Sequence, residues 1–274
     1  MSRKSTRRGA LLALPVAGLL GLLPAGCGQP ASGGQPVAGS GSRSASAPPA
    51  RSTNPAGPVM SPSASARPPV AISYPAEGSN RWRTAAAESP ARRGKGELLR
   101  YRVSVERDIV GIDTAAFAAE VTGYLNDEEG WTAGGTLTLR RVGPGQPADF
   151  TVYLATPGTR DALCGDVPDG YTSCRNGARV VLNVARWVKG VPRYGAPLAT
   201  YREYMVNHEV GHRLGHGHER CPGRGEPAPV MQQQTLGLHG CTANAKPYLD
   251  GESYHGRSGA YDDPIPPRER GRPG

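Results

Sequence analysis

Four of the chain's six histidines fall in one twelve-residue string, HEVGHRLGHGHE, residues 208 to 219. Their intervals constrain the fold more tightly than anything else in the sequence. His208 and His212 are four apart. On an α-helix that places them about 40° apart around the axis and about 6 Å along it. Two imidazoles so placed can reach one ion at about 2.0–2.1 Å each. Glu209, next to the first histidine, can bring its carboxylate near a water on such an ion without ligating it, as a general base and then a proton donor. Two ligands leave a metal centre incomplete. Gly215 is suited to a positive φ that ends the helix and turns the chain back, and His218 can then approach from another side. The expected ligand set is His208, His212 and His218. His216 lies outside that pattern and is expected behind the ligands or in solvent. His239 and His255 receive no role.

The foldable part of the chain is shorter than its 274 residues. Residues 1 to 26 read as an export signal, with Arg3, Lys4, Arg7 and Arg8 ahead of an apolar run from Leu11 that Pro15 and Pro24 interrupt. LPAGC resembles a bacterial lipobox, which would lipidate Cys27 and tether the protein to a membrane; Pro24 departs from the usual leucine. An ordinary signal peptide is the alternative, and the arginine pair also permits twin-arginine export. Residues 28 to 96 are rich in Ser, Ala, Pro, Gly and Arg, and read as a disordered tether that cannot bury enough surface to order itself. The tail from residue 260 to 274 reads as unfolded too. One domain of ordinary size remains, residues 97 to 259.

The formal charge of +9 invites a nucleic-acid partner. Residues 97 to 259, however, hold 17 Lys+Arg against 18 Asp+Glu, so the basicity lies elsewhere and no nucleic acid is expected. Besides Cys27 there are four cysteines, an even number that suits two disulfides in an exported chain. Four cysteines allow three pairings, and local closure favours Cys164–Cys174 and Cys221–Cys241. A cysteine-bound zinc is discounted because no C-x-x-C pair is present.

Hydrophobic periodicity gives the layout. Alternation from Leu99 to Arg107 reads as a strand. Asp113 caps a helix that follows, and strands begin at Thr136 and Asp149. Pro157 to Tyr171 reads as a loop. A short edge strand near Cys174, a nearly continuous apolar strand from Arg179 and a long helix from Leu198 to Leu214 complete it. The fold class is α+β: a mixed twisted sheet with two main helices, then an irregular C-terminal subdomain.

The complete string His208, Glu209, His212, Gly215, His218 resembles the extended zinc motif of the metzincin metallopeptidases. That family carries a methionine in a tight turn beneath the metal, and Met231 in APVMQQQ matches it. ADFTVYLATP, NHEVGHRLGHGHE and PAPVMQQQTLGL are similar to a family of exported actinobacterial proteins with a metzincin-like domain and no assigned substrate. The resemblance covers nearly all of residues 97 to 259. It implies one zinc ion, a protein or peptide substrate, and an exported zinc endopeptidase in which a zinc-activated water attacks the peptide bond with Glu209 as base. Some metzincins place a tyrosine two residues after the methionine, where this chain has Gln233; Tyr248 could serve instead. A membrane-tethered binding module with structural zinc, and a hydrolase of cell-wall peptide amides, are the alternatives. An intact Glu209 favours the enzyme over the module.

Overall fold

Strand β2 (Glu97–Glu106) organises the sheet. Its alternating Tyr101, Val103 and Val105 are fully buried, which only a core-facing strand achieves. The computed structural model describes residues 71–274. The export signal of residues 1 to 26, Cys27 and residues 28 to 70 lie outside the described residues.

One side of β2 carries two short partners in succession: β3 (Leu137–Arg141), parallel, and β1 (Trp82–Thr84), antiparallel. On its other side β4 (Phe150–Ala155) runs parallel, followed by β6 (Arg179–Asn183), parallel, and β5 (Cys174–Asn176), antiparallel at the edge. The molecule is thus mixed α+β with a mixed sheet.

Residues alternating along β4 and β6 divide the core between two faces. Val152, Leu154, Val180 and Leu182 pack in one cluster with α1 (Thr114–Leu125) and α4 (Leu198–Arg213), through Phe117, Val121, Met205 and Val206. Ala155 and Val181 face the other way, against Leu163 and Cys164 of α2 (Pro157–Cys164). A fourth helix, α3 (Val184–Lys189), follows β6 directly and is capped by Asn183. The expected Asp113 cap of α1 is present and accepts from the Ala116 N–H at 2.7 Å. The C-terminal part is mostly turns, with two-residue strands β7 (Glu219–Arg220), β8 (Tyr248–Leu249), β9 (Glu252–Ser253) and β10 (Arg257–Ser258).

Three expectations need correction. The segment read as a loop from Pro157 contains α2, which starts with Pro at its first position and ends on Gly165 at φ +67. The tether does not extend to residue 96: Ser73 pairs with Val110, Tyr74 is buried, and β1 is part of the sheet. Nor is the tail from residue 260 loose, since the Arg272 N–H donates to the Tyr74 carbonyl at 2.7 Å. Backbone pairing, with a few apolar side chains such as Tyr74 and Ala85, orders these segments. With these segments included, residues 71–274 carry 25 Lys+Arg and 23 Asp+Glu, still without a strong basic bias.

Both disulfides pair as local closure favours. Cys164–Cys174 ties α2 to edge strand β5, and Cys221–Cys241 closes a loop of the C-terminal part. Such bonds indicate an oxidising compartment, as outside the cell. Among the described residues no helix is long and apolar enough to cross a membrane.

Candidate metal centre

Helix α4 carries His208 and His212 on one face, and the chain beyond it returns His218 to them. The turn depends on Gly215 at φ +99, a conformation that costs other residues about 1–2 kcal/mol. Nothing lies within 4 Å of a Cβ built there, so the requirement is conformational and not one of space. One nitrogen from each of the three imidazoles lies within 4.8 Å of the others. His212 Nε2 and His218 Nε2 lie 3.1 Å apart. Two outward nitrogens are engaged: His208 Nδ1 with the Val230 carbonyl at 2.8 Å, and His212 Nδ1 with the His216 carbonyl at 2.9 Å. A carbonyl only accepts, so each Nδ1 holds the proton and each Nε2 turns a lone pair inward. Burial holds all three imidazoles below their usual pKa, His218 at about 4, with neighbouring rings adding to the effect on His208 and His218. The rings are therefore neutral, as ligands must be. These three residues could hold a metal ion.

Glu209 points into the same cavity. It is 6% exposed, and its Oε2 has no hydrogen-bond partner. Burial pushes its carboxyl up to about 8, against a lowering by the Arg160 guanidinium. The cavity, of about 460 Å³, is lined by the three histidines, Glu209, Tyr204 and Gln233 among others. Edge strand β5 forms part of its wall through Cys174 and Arg175.

Behind His208 lies a tight turn, Pro229 to Gln232, closed by the Gln232 N–H donating to the Pro229 carbonyl at 2.9 Å. Met231 sits in this turn and is buried. Its sulfur and Trp131 occupy the space a Cβ on Gly211 would need, so the methionine lies against α4 between the two helix histidines. The turn is held on several sides. Val230 takes the His208 hydrogen bond, and Met231 accepts the Glu219 N–H at 3.1 Å, one residue past His218. Three buried tyrosines secure the chain beyond it. Tyr204 donates to the Gln232 carbonyl at 3.0 Å, Tyr194 donates to Gln234 Oε1 at 3.1 Å, and the hydroxyls of Tyr201 and Thr235 share a hydrogen bond of 3.0 Å.

The remaining expectations divide. His216 stacks on Trp131 at 4.6 Å, and its carbonyl accepts a hydrogen bond from His212 Nδ1. Tyr248 does not reach the cavity; its hydroxyl lies against Gly134. Gln233 does line it. Sequence reasoning missed Arg160, which is 1% exposed and ion-paired with Asp161, Asp166 and Asp169 in the cavity wall. An arginine in a stretch read as a loop gave no signal that it would be buried.

Residues 68–257 match the family described as "Protein of unknown function (DUF3152)". The chain belongs to this family. No curated protein and no solved structure matches it.

Proposed function

We propose that the DUF3152 domain of this chain is a single-zinc endopeptidase of metzincin type. The observation that carries the reading is the convergence of three neutral imidazole nitrogens in one cavity with a buried, unpartnered carboxyl group. The donor set fits zinc: three nitrogens suit a borderline-soft ion, and no fourth His, Cys, Asp or Glu joins them among the described residues. A structural site ordinarily closes with four protein ligands, which disfavours the binding-module alternative. The lone Met231 beneath the ligands, in its turn, is a second point of likeness to the metzincins.

His208, His212 and His218 would hold the ion. Bound there, zinc supplies Lewis acidity toward a water and a scissile carbonyl. The chain's own residues do the rest. Glu209 takes a proton from the attacking water and returns it to the departing amine. The Nδ1 hydrogen bonds of His208 and His212 keep both rings aimed inward. The exposed side of β5 offers an extended peptide a backbone to pair with beside the metal. The reading extends to an exported protein, held at the cell surface if Cys27 is lipidated, that acts on a protein or on the peptide part of a cell wall.

The test is a metal assay joined to cleavage of a diverse peptide mixture. One zinc per chain is expected. Glu209→Gln should keep the metal and lose at least about a hundredfold in hydrolysis, the usual share of a general base. His212→Ala should lose both. A Glu209→Gln protein as active as the parent would remove the peptidase reading.

A further inference from the structure

The cavity holding the three histidines and Glu209 is also lined by Ile265, from the C-terminal tail. That residue is 51% exposed, so no burial of its own keeps it there. Contacts on both flanks do. Before it, Tyr261 stacks on His239 at 3.5 Å, and Asp263 bonds His239 Nε2 at 2.7 Å, both on the C-terminal part of the chain. Arg220 supports this flank by donating to the Ala260 carbonyl at 2.7 Å. After it, Arg268 pairs with Asp161 of α2 and with Glu77, and its stem lies against Gly170. Glu269 pairs with Arg186 and Lys189 of α3. The residues between these anchors are Pro264-Ile265-Pro266-Pro267.

We propose that residues 261–269 are a built-in strap across the mouth of the metal cleft, which a peptide substrate must displace. Three of the four bridging residues are prolines. They offer no N–H, so the strap cannot pair with β5 as an added strand would. Ile265 lines the cavity while β5 remains the edge of its sheet, to which a displacing peptide with ordinary N–H groups can add as a strand. The proline rings also fix φ, so little chain entropy is lost in holding the strap closed. The Asp263–His239 and Arg268–Glu77 contacts that flank the prolines are partly exposed and weak enough to open without unfolding the domain, while Glu269 on the nearly buried Arg186 keeps the far end attached.

The proposal rests on the peptidase reading for its meaning, and the experiment separates the two. The full chain and its Asp263→Asn/Arg268→Gln variant are compared in two ways: hydrolysis of a peptide mixture, and amide hydrogen exchange at cleft residues 172–176 and 233–236. Loosening both anchors should raise kcat/KM about fivefold, the factor expected for two partly exposed polar contacts, and should speed exchange at the cleft. Ile265→Ala, at a half-exposed position where folding is not at stake, should move both readouts in the same direction. If exchange quickens but no form cleaves any peptide, the peptidase reading fails and the strap stands. If the wild type cleaves and neither variant changes hydrolysis or exchange, the strap is overturned and the peptidase reading stands.

Discussion

Gly211 occupies one of the two positions that the H-E-x-x-H pattern leaves free, yet the structure gives it little freedom. A Cβ there would lie 2.4 Å from the Met231 sulfur and 2.7 Å from Trp131 Cζ2. Gly211→Ala adds helix propensity worth about 1 kcal/mol, but overpacking of about 1–3 kcal/mol opposes it. The expected outcome is net destabilisation in thermal unfolding. Met231→Ala alone should cost about 2–5 kcal/mol through its cavity. With the methionine gone only Trp131 still crowds the position, so adding Gly211→Ala should cost less than it does in the parent. A double-mutant cycle showing simple additivity would contradict the contact. Gly215→Ala differs, because only backbone strain is at issue; about 1–2 kcal/mol should go, and any affinity of the histidine cluster for a metal ion should fall with it, as His218 is drawn away. The histidine spacing was legible because helix geometry is local: residues four apart share a face whatever surrounds them. The contact that reserves Gly211 was not legible, because Met231 is twenty residues away and meets it only in three dimensions.

Among the elements, α2 shows how one buried carboxylate can seat a helix. Glu106, fully buried at the end of β2, accepts from the Asn80 N–H at 2.8 Å, the Thr156 N–H at 2.8 Å and the Thr159 hydroxyl at 2.6 Å. It joins the segment before β1, the strand β2 and the start of α2. Glu106→Ala would strand three donors at about 1–3 kcal/mol each when left unpaired. A fall in stability of several kcal/mol is expected in denaturant titration, with the wall of the metal cleft loosened as well. At the other end of α2, the Cys164–Cys174 bond closes ten residues. Replacing both cysteines by alanine should cost about 2.5–3 kcal/mol by loop entropy, read as a lower midpoint in urea. Strands β2, β3 and β4, marked by alternation, β6, marked by a nearly continuous apolar run, and the two long helices were all legible from the apolar pattern. Helix α2 was not, because PGTRDALC has too short an apolar stripe; its Pro start and Gly stop were present but outweighed. Strand β1 was missed for a related reason. Its three residues are only partly buried, and its order comes from β2, whose exposed edge it covers.

For the molecule as a whole, the fold boundaries lie well beyond residues 97 and 259. A chain beginning at residue 97 would bare the β2 edge that β1 covers and remove the Tyr74 pairing. Uncovered strand edges promote association. A chain from residue 97 should therefore aggregate on concentration where a chain from residue 68 remains monomeric, as light scattering would show. Composition misled here because it measures what a segment can bury by itself, while these two segments complete one another and the sheet. The antiparallel bridge between Tyr74 and Arg272 has a topological corollary. It brings both extremities of the domain to the same spot, so a brief glycine linker could fuse them. New termini could then be opened at the exposed Pro144–Gly145 bend between β3 and β4. Such a circular permutant should retain the sheet and the histidine cluster, while its tail segment, now continuous at each end, could no longer peel away from a free terminus.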